Sequence, residues 1–199
     1  MPLICTMRKI TILIWLIAGV LGSACAQAQG KKLDTTVSQN NAGYRVLCNN
    51  KNASANDVSI YPKGFDKEVR DMAFTIKGTL RKILIDDFNS DGYPDLVLCI
   101  YSGADGEMGT VVAIVSAGRT SLAPADFPDV YSNPALREGY KGHDVFTTLM
   151  GSLMQSFPIY KPDDTETATG GTRVVQYTIA KAEQGRLTFK MLRSYEKKN

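Results

Sequence analysis

The sequence predicts an all-β protein: an antiparallel β-sandwich or flattened barrel of about eight strands, with little helix. Three observations carry this. Short runs alternate apolar and polar residues, as over 173–179, where Val175, Tyr177 and Ile179 share one face. Gly, Pro, Asn and Asp separate these runs at short intervals, the spacing of turns between strands. The one long segment with helical spacing, 145–160, is interrupted by Gly151 and Pro158 and carries the β-branched pair Thr147 and Thr148, so two strands with a break at Gly151 are expected instead.

The elements follow in order. Residues 1–28 read as a secretory signal peptide. Arg8 and Lys9 precede an apolar run over 10–21, and the small residues Gly22, Ser23, Ala24, Ala26 and Ala28 offer cleavage near Ala26 or Ala28. The run is too short for a membrane span, which takes about 20 residues. A periplasmic or secreted protein is therefore expected, with a lipoprotein acylated at Cys25 as the alternative processing. Residues 29–43 are polar and aperiodic and read as a flexible leader. The domain runs over 44–199. Strands are expected at 44–47, 57–61, 74–78, 80–85, 96–101 and 110–115, with one helical turn after Asn133, capped by its side chain and opened by Pro134. A polar loop over 161–171 precedes a last hairpin, 173–179 with 187–195.

Charge and composition exclude several classes. The 199-residue chain has 23 Lys+Arg and 20 Asp+Glu, and loss of Arg8 and Lys9 with the signal leaves a net charge of +1. So weak a field does not steer nucleic acid or an anionic membrane. His143 is the only histidine, which removes His-rich metal sites, and no G-x-S-x-G elbow, P-loop or dinucleotide fingerprint occurs. A non-enzymatic protein is expected. Cys48 and Cys99 remain after cleavage. In an oxidising compartment they either pair or stay as separately buried thiols.

One motif has ligand chemistry. Asp87, Asn89, Asp91 and Asp95 fall at positions 1, 3, 5 and 9 of an EF-hand-like loop, with Gly92 at the sharp turn. Oxygen side chains at this spacing suit Ca²⁺. Position 12 is Leu98 in place of a bidentate Glu. The competing reading is a tight turn whose carboxylates accept backbone N–H groups. No cofactor is required, and Ca²⁺ is the one ion the sequence provides for.

Several segments in fixed order resemble the periplasmic inhibitors of invertebrate-type lysozymes (the PliI family). They are Asp87-Phe88-Asn89-Ser90-Asp91-Gly92-Tyr93-Pro94-Asp95; Gly109-Thr110-Val111-Val112-Ala113; Gly139-Tyr140-Lys141-Gly142-His143-Asp144-Val145-Phe146; Ser152-Leu153 with Phe157-Pro158-Ile159-Tyr160; and Thr169-Gly170-Gly171-Thr172-Arg173 with Gln176-Tyr177. The resemblance extends from about Tyr44 to the C-terminus. It implies a β-sandwich that blocks a lysozyme by pushing a loop into the active-site cleft, whose two carboxylates can accept charge-assisted hydrogen bonds. In the family that loop ends in Ser-Gly-x-Tyr. Here the matching positions are Asp105, Gly106, Glu107 and Met108, so only Gly106 fits, and two acids would face an acidic cleft. Tyr101, Ser102 and Thr110 still supply hydroxyls. A partner-binding loop of Tyr101, Ser102, Asp105, Gly106, Glu107 and Met108 is therefore expected. Tyr140, His143, Asp144 and Arg173 form either a secondary partner surface or a hydrogen-bonded corner that fixes loops. The partner implied is a lysozyme, with a homodimer also compatible. The alternative function is a calcium-stabilised envelope module that binds glycan or protein.

Overall fold

The computed structural model describes residues 31–105 and 107–198. The signal-peptide segment with Cys25, and Gly106 of the partner loop, lie outside the described residues. Those described form two β-sheets. The smaller is a four-stranded meander of β1 (Leu33–Gln39), β2 (Ala42–Cys48), β3 (Asn56–Lys63) and β4 (Met72–Ile76). The larger has eight strands in the order β5-β6-β7-β8-β12-β11-β10-β9. Its strands are β5 (Thr79–Asp86), β6 (Asp95–Ser102), β7 (Met108–Ala117), β8 (Ser121–Asp126), β9 (Val145–Leu149), β10 (Ser152–Pro158), β11 (Thr172–Lys181) and β12 (Leu187–Lys197).

The large sheet curls into a nearly closed barrel. Its edges β5 and β9 approach each other without a continuous ladder. Lys82 Nζ donates to the Phe146 carbonyl at 2.8 Å, and Gly151 N–H donates to Asp86 Oδ2 at 3.2 Å across this seam. Neighbouring strands in both sheets run antiparallel except for one short parallel contact of β8 with β12, Leu187 opposite Ala125. The fold is thus all-β as expected, part barrel and part sandwich.

β6 explains how the two sheets share one molecule. Every residue from Asp95 to Tyr101 is buried. Leu96, Leu98 and Ile100 face the small sheet and pack with Tyr44, Val46, Val58 and Ile60. Val97, Cys99 and Tyr101 face the barrel interior and pack with Phe146, Leu153, Val175, Tyr177 and Phe189. A strand covered on both faces reads as a continuous apolar run and not as an alternation. Phe127, at the end of β8, closes the barrel core, with ring centroids 5.0 Å from Tyr177, 5.8 Å from Phe146 and 6.0 Å from Phe189. The same two-sided burial separates the cysteines: Cys48 lies in the small-sheet core and Cys99 in the barrel core, both as free thiols. Burial pushes the Cys99 thiol up to about 12, far from a reactive thiolate.

Two expectations change. Residues 29–43 were expected as a flexible leader, yet β1 and the first residues of β2 lie there. β1 is paired along its whole length with β2, from Leu33 opposite Cys48 to Gln39 opposite Ala42. Its side chains are mostly exposed, with Leu33 and Val37 only half-buried, so backbone pairing forms the strand without an apolar pattern to announce it. A further strand, β8, was missed because Pro124 and the small or polar residues Ser121, Ala123, Ala125 and Asp126 hide it; Pro is tolerated there in a short strand. The break at Gly151 holds: Met150 and Gly151 both take positive φ, 47° and 71°, in the turn between β9 and β10. The helical turn is α1 (Pro134–Arg137), with the Asn133 side chain accepting from Ala135 N–H at 3.0 Å.

Candidate functional site

The loop over 102–109 joins β6 to β7. Gly103, Ala104 and Asp105 are exposed at its tip, and Ser102, Glu107 and Met108 are half-buried at its base. Asp105 Oδ1 accepts Glu107 N–H at 3.0 Å, the geometry of an Asx turn that stiffens the tip from within. Met108 turns its side chain towards the barrel core. Tyr101 was expected among the partner-facing residues and is not available to one. Its ring is buried, its hydroxyl donates to the Asp144 carbonyl at 2.9 Å, and the Arg81 guanidinium covers the ring 4.8 Å from its centroid. Burial pushes this phenol up to about 12.

The 139–144 loop lies directly against the first. His143 N–H donates to the Glu107 carbonyl at 2.8 Å. The close approach requires glycine twice. A Cβ on Gly142, at φ 88°, would lie 2.8 Å from the Glu107 carbonyl oxygen, and one on Gly109 would lie 2.5 Å from Asp144 Cβ. His143 itself sits at φ 59°, a left-handed conformation held by that backbone bond.

Asp144 is the centre of the arrangement. It is 3% exposed, and its Oδ2 accepts Gly109 N–H at 2.7 Å and Tyr140 O–H at 2.6 Å. Its Oδ1 accepts Gln155 Nε2 at 2.6 Å, and Gln155 Oε1 accepts Tyr177 O–H at 2.8 Å. One carboxylate thus ties the start of β7 to the 139–144 loop, β10 and β11. Burial raises the Asp144 carboxyl above the usual range, and the donors from Tyr140, Gly109 and Gln155 oppose the rise. Burial also raises the hydroxyl of Tyr140, and the Asp144 carboxylate adds to it.

Of the proposed secondary surface, Tyr140, Asp144 and Arg173 are buried, which makes them the hydrogen-bonded corner and not a contact surface. Arg173 Nη1 donates to the carbonyls of Ala135 (2.7 Å) and Leu136 (3.2 Å) at the end of α1, and its Nη2 reaches Glu196 at 2.5 Å. Only His143 remains substantially exposed. Its Nδ1 lies 3.8 Å from Glu107 Oε2, and Arg81 Nη1 lies 3.0 Å from Glu107 Oε1. The acid at the loop base is therefore flanked by two nitrogen groups. Arg81 and Gln155 were not legible as site residues. The signal for Gln155 was an amide within the otherwise apolar centre of β10; Arg81 gave none.

The Asp87–Asp95 motif folds as a set of side-chain-capped turns. Asp87 accepts the N–H groups of Asp91 (3.0 Å) and Gly92 (2.9 Å). Asp91 accepts those of Tyr93 (2.8 Å) and Gly118 (2.7 Å). Asn89 bonds Asp91 twice: its amide nitrogen donates to Asp91 Oδ2 at 3.0 Å, and its Oδ1 accepts the Asp91 backbone N–H at 3.1 Å. Asp95 is fully buried and accepts Phe88 N–H at 2.8 Å, Ser116 N–H at 2.7 Å and Ser116 O–H at 3.0 Å. Burial pushes its carboxyl up to about 6 against the pull of these donors. Among the described residues no three His, Cys, Asp or Glu side chains are gathered to hold a metal ion. The loop joins β5 to β6 and fastens that corner to the β7–β8 turn.

No protein-family model, curated protein or solved structure matches the chain.

Proposed function

We propose that the protein is a secreted or periplasmic, non-enzymatic inhibitor of a lysozyme that blocks the cleft with its 102–109 loop. The observation that carries the reading is the combination of an exposed tip, Gly103 to Asp105, with a base locked to the barrel through Asp144. A loop already held in one shape loses little conformational freedom on docking, which is what a cleft-filling inhibitor needs. The small tip residues can enter a narrow groove.

The acidic character of the loop bears on how it meets two cleft carboxylates. Glu107 is engaged by Arg81, and Asp105 spends one oxygen on its own turn. Arg81 and His143, each 42% exposed at the side chain, stand beside the loop and supply the donors that the missing Ser and Tyr would have supplied. Charge-assisted bonds from such groups favour ionised carboxylates. The contact set is thereby shifted from hydroxyls at the loop tip to nitrogen donors at its base.

The test is inhibition by the purified mature protein of invertebrate-, chicken- and goose-type lysozymes acting on cell walls. Inhibition of at least one class at micromolar protein is expected. Absence of both binding and protection against all three overturns the reading.

A further inference from the structure

At the far end of the molecule from this loop, three elements enclose a second recess. It is lined by Gln39, Asn40 and Asn41 of the β1–β2 turn, by Gly92 and Tyr93 of the Asp87–Asp95 segment, and by Arg119 of the β7–β8 turn, with a volume of about 410 Å³. Most asparagine and glutamine side chains elsewhere among the described residues serve the fold internally. Asn50, Asn56, Asn89, Asn133, Gln155 and Gln176 each bond a backbone or side-chain partner. Gln39, Asn40 and Asn41 are three amides in succession whose side chains make no hydrogen bond among the described residues.

The recess is a built place rather than a loose turn. Gly64 packs so close to the Asn41 carbonyl that a Cβ there would lie 2.0 Å from its oxygen, whereas a Cβ on Gly92 would meet nothing within 4 Å, which leaves that wall open. Tyr93 is fixed from behind by Phe65, at 5.9 Å between ring centroids, and Phe65 in turn by Tyr44 at 5.4 Å. Arg119 is held by Asp66, Nε to Oδ1 at 3.2 Å, so the charge at the recess is paired.

We infer that this recess binds a neutral oligosaccharide. Amides offer a donor and an acceptor each, the pattern needed for hydroxyl and acetamido groups that both give and take hydrogen bonds. An aromatic ring beside them gives an apolar face for the C–H side of a sugar ring. The paired Arg119 adds directed N–H donors without the net field that would select an anion. An open recess holding a flexible ligand implies weak affinity, about 1 mM for a single short chain. This site is separate from the 102–109 loop and stands whether or not that loop blocks a lysozyme.

The experiment is an NMR titration of the purified protein with chitotetraose, a neutral N-acetylated tetramer, beside a sulfated oligosaccharide of equal length. Saturable shifts confined to the amides of residues 39–42, 64, 92, 93 and 119 are expected with the neutral sugar. Gln39→Ala with Asn41→Ala, both outside the core, should weaken binding about tenfold with the melting temperature unmoved, and Tyr93→Ala should do so by a similar factor. No saturable shift at about 10 mM chitotetraose, shifts mapping elsewhere, or tighter binding of the sulfated chain would each overturn the inference.

Discussion

Replacing Asp144 by Asn tests the claim that one buried carboxylate holds the candidate loop in place. The substitution is nearly isosteric, so packing around Phe146 and Gly109 is preserved. Gln155 Nε2 can still donate to the remaining oxygen. The new amide nitrogen then faces two former donors, Gly109 N–H at 2.7 Å and Tyr140 O–H at 2.6 Å from the lost oxygen. The hydroxyl can rotate and accept. The backbone N–H cannot, and a buried donor left unmade costs about 1–3 kcal/mol. Asp144→Ala removes all three acceptor contacts and opens a void, for which about 3–5 kcal/mol is expected. Urea unfolding gives both values, provided the slope against denaturant is unchanged. Hydrogen exchange at Gly109 gives the local effect, with protection of that amide falling in Asp144→Asn by more than the global stability does. An Asn variant within about 0.5 kcal/mol of wild type, with Gly109 still protected, would refute the clamp.

Three further outcomes follow from the thiols and the carboxylates. Asp95 has a folded carboxyl raised to about 6 from an ordinary 3.8, so the folded state holds the extra proton between those values. Its favourable contribution is complete below the lower value and is lost as pH rises through the upper one, by up to about 3 kcal/mol. Denaturation from pH 4 to pH 6.5 should therefore show a steeper fall for wild type than for Asp95→Asn; parallel profiles would contradict it. Cys48, on β2, and Cys99, on β6, are buried in separate cores on either side of β6, so both should react with a thiol reagent only after unfolding, and a reductant should leave the melting temperature where it was; a mass loss of two hydrogens under non-reducing conditions would contradict this. The Asp87–Asp95 oxygens already accept backbone N–H groups, so millimolar Ca²⁺ is expected to leave the melting temperature unchanged, and a rise that depends on concentration would show that the turn rearranges to bind the ion.

The parts of the fold legible in the sequence are those in which side-chain pattern and burial coincide. β11 alternates in residue type because Val175 and Tyr177 line the barrel core while Gln176 and Thr178 lie on the half-buried outer face, and α1 is announced by its own cap and proline. β1 was hidden because a strand at a sheet edge can be made by backbone pairing with little apolar surface. The double-sided burial of β6 was visible only as an apolar run, which states that a strand is covered but not by what. At the candidate site, the loop over 102–109 was legible as the Gly-containing break between two apolar runs. The inversion of Tyr101 from contact residue to buried support was not, because a phenol can serve either end. Arg81 enters the site from β5, the strand paired with β6, but it is remote in sequence, and no local pattern connects residue 81 to residue 107.

If the 102–109 loop enters a lysozyme cleft as proposed, the most direct measurement is the inhibition constant of wild type and of Asp105→Ser against one invertebrate-type lysozyme at several substrate concentrations. Competitive inhibition by wild type is expected, with a lower constant for Asp105→Ser, which removes one charge and adds a hydroxyl at the exposed loop tip. Inhibition that is unchanged by the substitution, or that is not relieved by substrate, would overturn the proposal.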